Sequence, residues 1–345
     1  MKILIIANNI VGNYDGIGKH ARIVGHEMVT LGYQVNYCTG TTWNKSTIGQ
    51  IFSCQMSVAY LKAIKIILTN RIDYVDIEYP FKEYNPLVIL FHLLLWMVTR
   101  IRGIKISFSM HEYDRVKFLR RRIIDFFLLF SDLVFISEKK YFKELKQYAF
   151  KMRVRIIPSH GITYFPNLKD FSNPIHYCYF GLVNRAKAFD EMLDAWKKFN
   201  KEGKYFLEIV SISDLRDLDF SKYPNVTFHY NLNDTDSGKV LSKCEFALIP
   251  VLPNIGFNNS SFVSSIQCGC IPLGKFNSDL MGLNFLVNMK SYEPEYFSKI
   301  LEATQSFTQI ELKIMMDNAL KFGQNFSVKK TAIMMIDAFE EFYNK

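Results

Sequence analysis

The chain reads as an α/β protein built from two doubly wound parallel sheets in tandem, and three observations predict this. Short apolar strands alternate with amphipathic segments along most of the 345 residues, the order that gives parallel sheets covered by helices on both faces. The alternation restarts after NLKDFSNP (167–174), the best linker candidate. The length exceeds one ordinary core and fills two domains of roughly 150 to 180 residues each. The expected division is 1–166 for the first domain, 167–325 for the second, and 326–345 for a final helix packing back toward the first.

The elements follow in order. Lys2–Ala7 (KILIIA) reads as a strand, Ile17–Leu31 as a helix and Gln34–Cys38 as a second strand. Ile72–Glu78 is a strand, 86–101 a helix and Lys105–Met110 a buried strand. A helix over 115–130 leads to the strand Leu133–Ile136, a helix over Glu138–Tyr148, and the strand Val154–Ile157, which Pro158 ends. In the second half Ile175–Phe180, Tyr205–Ser211, Val226–Tyr230, Glu245–Val251 and Ile271–Gly274 read as strands. Helices are expected over Phe189–Phe199, over 236–243, from about Ser261, and along the amphipathic tail SVKKTAIMMIDAFEEFYNK. Two such domains place a ligand crevice at the carboxyl ends of their sheets.

Hydrophobic residues make up 49% and charged residues 22% of the chain, with no low-complexity run or internal repeat. MKILIIANN carries one Lys before five apolar residues and then polar Asn8 and Asn9. It is expected to be a first strand rather than a secretory leader, and the protein to stay in the cytoplasm. Six cysteines (Cys38, Cys54, Cys178, Cys244, Cys268, Cys270) lack any C-x-x-C pair, which argues for reduced thiols and against a zinc site. The net charge is +9. It concentrates in Arg100, Arg102, Lys105, Arg115, Lys117, Arg120, Arg121 and Arg122, beside the apolar runs LVILFHLLLWMV (87–98) and IIDFFLLF (123–130). Neither run reaches the roughly 18 to 20 residues that span a bilayer. Two readings stand for 87–130: a basic amphipathic surface on anionic lipid, or core helices with solvated basic ends. No nucleic-acid-binding signature accompanies the charge, so no nucleic-acid partner is expected.

GIGKHA (16–21) matches G-x-G-x-x-A after the first strand. The context argues against a dinucleotide: the loop from Ala7 to Gly16 is long, and the second strand ends in NYCT (36–39) with no acid for a ribose. What remains is a glycine loop admitting a phosphate or sugar hydroxyl to backbone N–H groups, or a plain tight turn. In FSMHEYD (108–114), His111 lies just past a buried strand, where it serves a substrate hydroxyl or is a satisfied structural residue. In YFGLVNRAKAFDEMLDAW (179–196), Arg185 and Lys187 fall in the loop between strand and helix. Two cations there suit a departing diphosphate; the alternative is a pair of solvated loop cations. NDTDSG (233–238) contains D-x-D but precedes a short helix, where Asp and Ser are better read as caps than as metal ligands. IGFNNSSFVSSIQCGCIPLG (255–274) opens like a loop feeding a helix N-terminus and has no charged side chain. Its equipment is neutral: backbone N–H groups of Phe257 to Ser261, with Asn258, Asn259 and Ser260.

Taken together these segments resemble the family-4 retaining glycosyltransferases of the GT-B fold, over nearly the whole chain. The resemblance rests on DGIGKH with downstream LGYQV, FSMHEY, FISEK (135–139), RIIPSHGI (155–162), YFGLVNRAK, ALIPV (247–251) and QCGCIPLG (267–274). It implies two Rossmann-like domains facing a central cleft, and a nucleotide-diphosphate sugar as co-substrate held mainly by the C-terminal domain. It implies no metal and no other cofactor. Gly16 would lie near the donor's phosphate and sugar, His111 beside the donor sugar, Gly181 at the donor, and Lys187 on the pyrophosphate. The family arginine falls on Leu182, so Arg185 must substitute. The family's two glutamates fall on Gly256 and Ser264, which removes groups that bind donor hydroxyls but not the reaction itself. The resulting expectation is a metal-independent, retaining glycosyltransferase, peripheral at the inner face of a bacterial plasma membrane. It would move a sugar to a lipid-linked or oligosaccharide acceptor in surface-polysaccharide assembly. The rivals are a non-catalytic GT-B subunit that scaffolds a partner transferase, and a sugar-nucleotide epimerase or hydrolase.

Overall fold

The computed structural model describes residues 1–8, 10, 16–40, 51–53, 56–79, 87–111, 118–145, 153–161, 175–184 and 187–343. The chain divides into two compact units, Met1–Pro158 with Val328–Lys345, and Ser159–Ser327. The linker candidate 167–174 lies outside the described residues.

In the first unit the strands β1 (Lys2–Ala7), β2 (Gln34–Thr39), β3 (Ile51–Ser53), β4 (Tyr74–Tyr79), β5 (Lys105–Met110), β6 (Leu133–Ile136) and β7 (Arg153–Ile156) form one sheet in the order β3-β2-β1-β4-β5-β6-β7. Every pairing is parallel. Parallel strands buried on both faces need apolar residues at every position, and β1 shows it. Leu4 and Ile6 join Ile77, Phe108 and the helices α2 (Met56–Thr69), α3 (Leu87–Ile101) and α4 (Phe118–Leu129) through Ala63, Leu95 and Phe127. Ile3 and Ile5 turn the other way, onto Ala21, Val24 and Met28 of α1 (Gly16–Thr30). A short α5 (Lys139–Leu145) precedes β7.

The second unit runs β8 (His176–Phe180), α6 (Phe189–Phe199), β9 (Phe206–Ser211), β10 (Val226–Tyr230), α7 (Asp234–Leu241), β11 (Phe246–Ile249), α8 (Ser260–Gln267), β12 (Ile271–Gly274), β13 (Val287–Asn288), α9 (Pro294–Ala303) and α10 (Gln309–Gly323). Its parallel sheet has the order β10-β9-β8-β11-β12-β13. The chain then returns to the first unit as α11 (Val328–Tyr343), which packs on α1. Phe339 lies 4.4 Å from Tyr74 and 5.6 Å from Phe135, ring centroid to ring centroid, and the Tyr33 hydroxyl donates to Glu340 at 2.7 Å.

The sequence reading has no counterpart for β3, α2, β13, α9 and α10. In α7 the cap is Asn233, whose side chain accepts from the Asp236 N–H. The D-x-D acids lie inside the first turn, so the expected capping by Asp and Ser is corrected by one residue. Five cysteines are buried thiols, and Cys54 lies outside the described residues.

Among the described residues no helix is long and apolar enough to cross a membrane. The two apolar runs bury His92, Leu95, Ile124 and Phe127. They and the segments beside them also leave Leu90, Met97, Ile101, Phe118, Leu119 and Leu129 exposed, Ile101 by 83%. Part of the basic cluster is paired, Arg100 with Asp132 at 2.9 Å and Arg122 with Asp125 at 3.4 Å. Arg115 and Lys117 lie outside the described residues.

Candidate functional site

Each sheet reverses its strand order once, between β1 and β4 in the first unit and between β8 and β11 in the second. Connections leave such a reversal in opposite directions and open a crevice beyond the carboxyl ends of the strands. Both candidate clusters lie at these reversals.

In the second unit β8 ends at Gly181, whose φ of +133° is closed to L side chains. A Cβ there would also stand 2.5 Å from Ser261 Oγ and 2.6 Å from Lys187 Nζ. The glycine is therefore required twice, by backbone angle and by the two polar groups converging on it. Lys187 is fixed through its backbone, which bridges to Val251 just past β11. The next N–H, of Ala188, donates to the Pro250 carbonyl at 2.8 Å. Its ammonium lies 5.1 Å from the centre of the Tyr179 ring, and no ion pair is formed with a carboxylate among the described residues. Burial lowers its pKa from 10.5 to about 8, because a charge without a counter-ion is poorly solvated there. Lys187 is thus half-buried among these groups. Arg185 lies outside the described residues.

Helix α8 brings its N-terminus to the same place. Asn259 is its cap, accepting from the Phe262 N–H at 2.9 Å, so that side chain is spent on the helix itself. Ser260 is exposed, and Asn258 and Phe257 are half-buried. Phe257 stacks on Phe326 at 5.7 Å, and its carbonyl accepts from the Ser159 N–H. Of the serines, Ser261 reaches the space beside Gly181, whereas Ser264 is buried against Gly161. Glycines hold α8 at van der Waals contact from two directions. A Cβ on Gly161 would stand 2.8 Å from Ser264 N, and one on Gly323 would stand 2.9 Å from Gln267 N.

In the first unit β4 (YVDIEY) is buried at every position, yet it carries Asp76 and Glu78 on one face. Opposite them on β5 stand Ser107 and Ser109. Asp76 accepts from the Ser107 hydroxyl at 2.7 Å and from that of Ser109 at 3.0 Å. Burial first, then the Glu78 carboxylate, push Asp76 well above the usual carboxylate range. His111, just past β5, bonds Glu78 Oε2 through Nε2 at 2.6 Å. The His20 ring of α1 meets the His111 ring edge-on with centroids 4.9 Å apart. Nitrogen and oxygen sharing one transition metal at about 2.0 to 2.2 Å each would stand farther apart than this; the contact is a hydrogen bond. Gly16 opens α1, and a Cβ there would meet nothing within 4 Å, so the chain itself gives no steric reason for that glycine.

Asp76 and Glu78 are the residues that the sequence reading missed. The signal was present in IDYVDIEY: acids at alternate positions of a strand that has no solvent face.

No family model and no curated protein matches the chain. Solved structures match it end to end. HepE (Alr3699) of Anabaena in complex with UDP superposes with a TM-score of 0.73 at 14% identity, covering 99% of this chain and 100% of that one. A glycosyltransferase from Rickettsia africae gives 0.72 at 12% identity over 99% and 98%. WaaG, a glycosyltransferase involved in lipopolysaccharide biosynthesis, gives 0.69 at 11% identity over 98% and 99%. These neighbours are GT-B glycosyltransferases. The fold is GT-B. At identities this low the likeness establishes architecture, and chemistry must be argued from the site.

Proposed function

We propose that the chain is a glycosyltransferase that moves a sugar from a nucleotide-diphosphate donor to a saccharide acceptor. The observation that carries this reading is the convergence of Lys187 Nζ, Ser261 Oγ and the α8 N-terminus on the space beside Gly181. An anion there meets a cation, a hydroxyl donor and the positive end of a helix dipole together. A diphosphate binds them as a ligand and draws on them more strongly as it departs with the electron pair. These groups supply the positive charge that the leaving group needs, so the reading requires no metal. UDP-sugars are the donors to try first, since HepE is known in complex with UDP and with UDP-glucose. Asn258 and Ser260 are assigned to the donor sugar, and Gly16 to its phosphate side.

The acceptor in this reading is lipid-linked and the setting is the inner face of the plasma membrane, in surface-polysaccharide assembly. The exposed apolar side chains of α3 and α4, with Arg102 beside them, support contact with anionic lipid. Co-sedimentation with vesicles tests it. Binding to anionic but not neutral vesicles, weakened by salt, supports the reading, and equal recovery without lipid contradicts it. The donor site is tested by Lys187→Ala. Transfer from the nucleotide sugar should be abolished while the fold persists, whereas unchanged transfer would refute the assignment.

A further inference from the structure

Three side chains of the kind that ligate metals meet at one point of the first unit. We propose that His20, Glu78 and His111 form a binding site for a first-row transition ion, zinc first, that pins α1 to the ends of β4 and β5. The site lies wholly within the first unit and does not rest on the transferase reading.

The three arrive from separate elements, each fixed by its own packing. Helix α1 lies over the sheet through Ala21 and Val24, in one cluster with Ile3, Ile5 and Tyr74, and so carries His20 to that face. Glu78 lies on the same face of β4 as Tyr74, since alternate residues of a strand share a face. His111 continues the β5 ladder by one residue, its N–H donating to the Tyr79 carbonyl at 3.2 Å. One ligand atom from each residue falls within 4.8 Å of the other two, and the His20 and His111 rings meet edge-on. Ligands that share a zinc ion at about 2.0 to 2.2 Å stand roughly 3 to 3.5 Å apart. Entry of the ion therefore parts His111 Nε2 from Glu78 Oε2, which stand 2.6 Å apart, and draws His20 inward, both by side-chain rotation. The proton between nitrogen and oxygen leaves for water.

Charge supplies the reason for a cation. Glu78 is 1% exposed, and its ion pair among the described residues is with His111. A buried carboxylate needs positive charge at contact distance, and a divalent ion supplies more of it than one imidazole. Two nitrogens and one carboxylate oxygen suit zinc, copper, iron or nickel, and not magnesium or calcium, which take oxygen ligands. The His111 side chain keeps 20% of its surface open and His20 is half-buried, so an ion reaches the site from solvent and water completes its coordination.

The test uses the full chain, stripped with EDTA and titrated by calorimetry with zinc chloride and, separately, with magnesium chloride. Zinc should bind at one equivalent per chain and raise the unfolding temperature; magnesium should do neither. Loss of a partner behind a ligand costs about 10- to 100-fold in metal affinity, so loss of a ligand in His20→Ala or Glu78→Gln should cost at least that. His229→Ala is the control, because His229 meets Glu208 at 2.6 Å with no third ligand beside them among the described residues. It should bind zinc as wild type does. If Glu78→Gln unfolds, His20→Ala decides alone. Folded wild-type protein that binds no zinc overturns the proposal. So does a zinc affinity in folded His20→Ala within about threefold of wild type, which would mean an adventitious ion only. A chain that binds UDP but no zinc keeps the transferase reading and loses this one.

Discussion

Gly181 and Lys187 divide the labour of the second unit's site between backbone and charge. Gly181→Ala forces an L side chain to a φ of +133° and drives a Cβ into Ser261 and Lys187. It should cost about 1 to 3 kcal/mol of stability, read by urea denaturation, and remove nucleotide binding with it. Lys187 makes a separate, pH-dependent prediction. Its folded pKa is lowered to about 8 from 10.5, so the unfolded chain holds more protons between those values and folding stability rises with pH across that window. Nucleotide affinity should run the other way and fall as pH climbs through about 8, because the neutral amine no longer answers the diphosphate. Calorimetry on Lys187→Met should show neither trend. His92 obeys the same sign at the acid end. It sits in the core 4.4 Å from the Phe127 ring, and burial lowers its pKa to about 3. Between pH 6.5 and 3 the unfolded chain gains a proton that the folded one refuses, so stability falls as pH falls. His92→Leu should flatten that slope in acid-denaturation curves.

At the scale of elements, α8 and α11 carry the most consequence. Helix α8 is placed by two glycine contacts and one Asn cap, so its N-terminus is aimed by packing and not by charge. Helix α11 closes the α1 face of the first unit through Ala332, Met335, Ile336 and Phe339. Phe339→Ala removes an unexposed ring packed on Tyr74 and Phe135 and should cost about 3 to 5 kcal/mol. Urea unfolding followed by circular dichroism would show it as an earlier transition. Most of the parallel strands were legible in the sequence because burial on both faces leaves an apolar run such as ILIIA (3–7) or LVFI (133–136); the short β3 and β13 were not. The loop-to-helix junction at 255–261 was legible because Asn and Ser before an apolar turn start helices. Helices α9 and α10 went unread although Pro294 and the Thr308–Glu311 capping box mark their starts. The apolar stripe of α10 is broken by charges, which weakens its 3.6-residue period, whereas α9 has a clear apolar face and went unread all the same. The Asp76–Glu78 pair hid for the opposite reason: a strand buried throughout leaves acids only polar groups from neighbouring elements, here Ser107, Ser109 and His111, which no local pattern brings together. Lys187 was legible as a cation in the right loop, but its partial burial depends on β8 and β11 lying side by side, which no local pattern states.

At the scale of the whole molecule, the GT-B fold supplies two crevices of the same topological kind, and the chain furnishes them unequally. One offers a half-buried cation and a helix N-terminus, suited to a diphosphate; the other holds an imidazole against the buried Glu78 carboxylate. Neither set was demanded by core packing, since an ammonium with no carboxylate partner among the described residues and a buried acid pair both cost folding stability. That cost is what supports the proposed transferase reading over a scaffold. The most direct measurement is thermal unfolding of the purified protein with UDP, GDP, ADP and CMP in turn, beside Lys187→Ala. A nucleotide at about 100 times its dissociation constant stabilises by roughly 2.7 kcal/mol. The account predicts such a shift with one nucleoside diphosphate, UDP first, and its loss in Lys187→Ala. No shift with any of them in folded wild-type protein would contradict it.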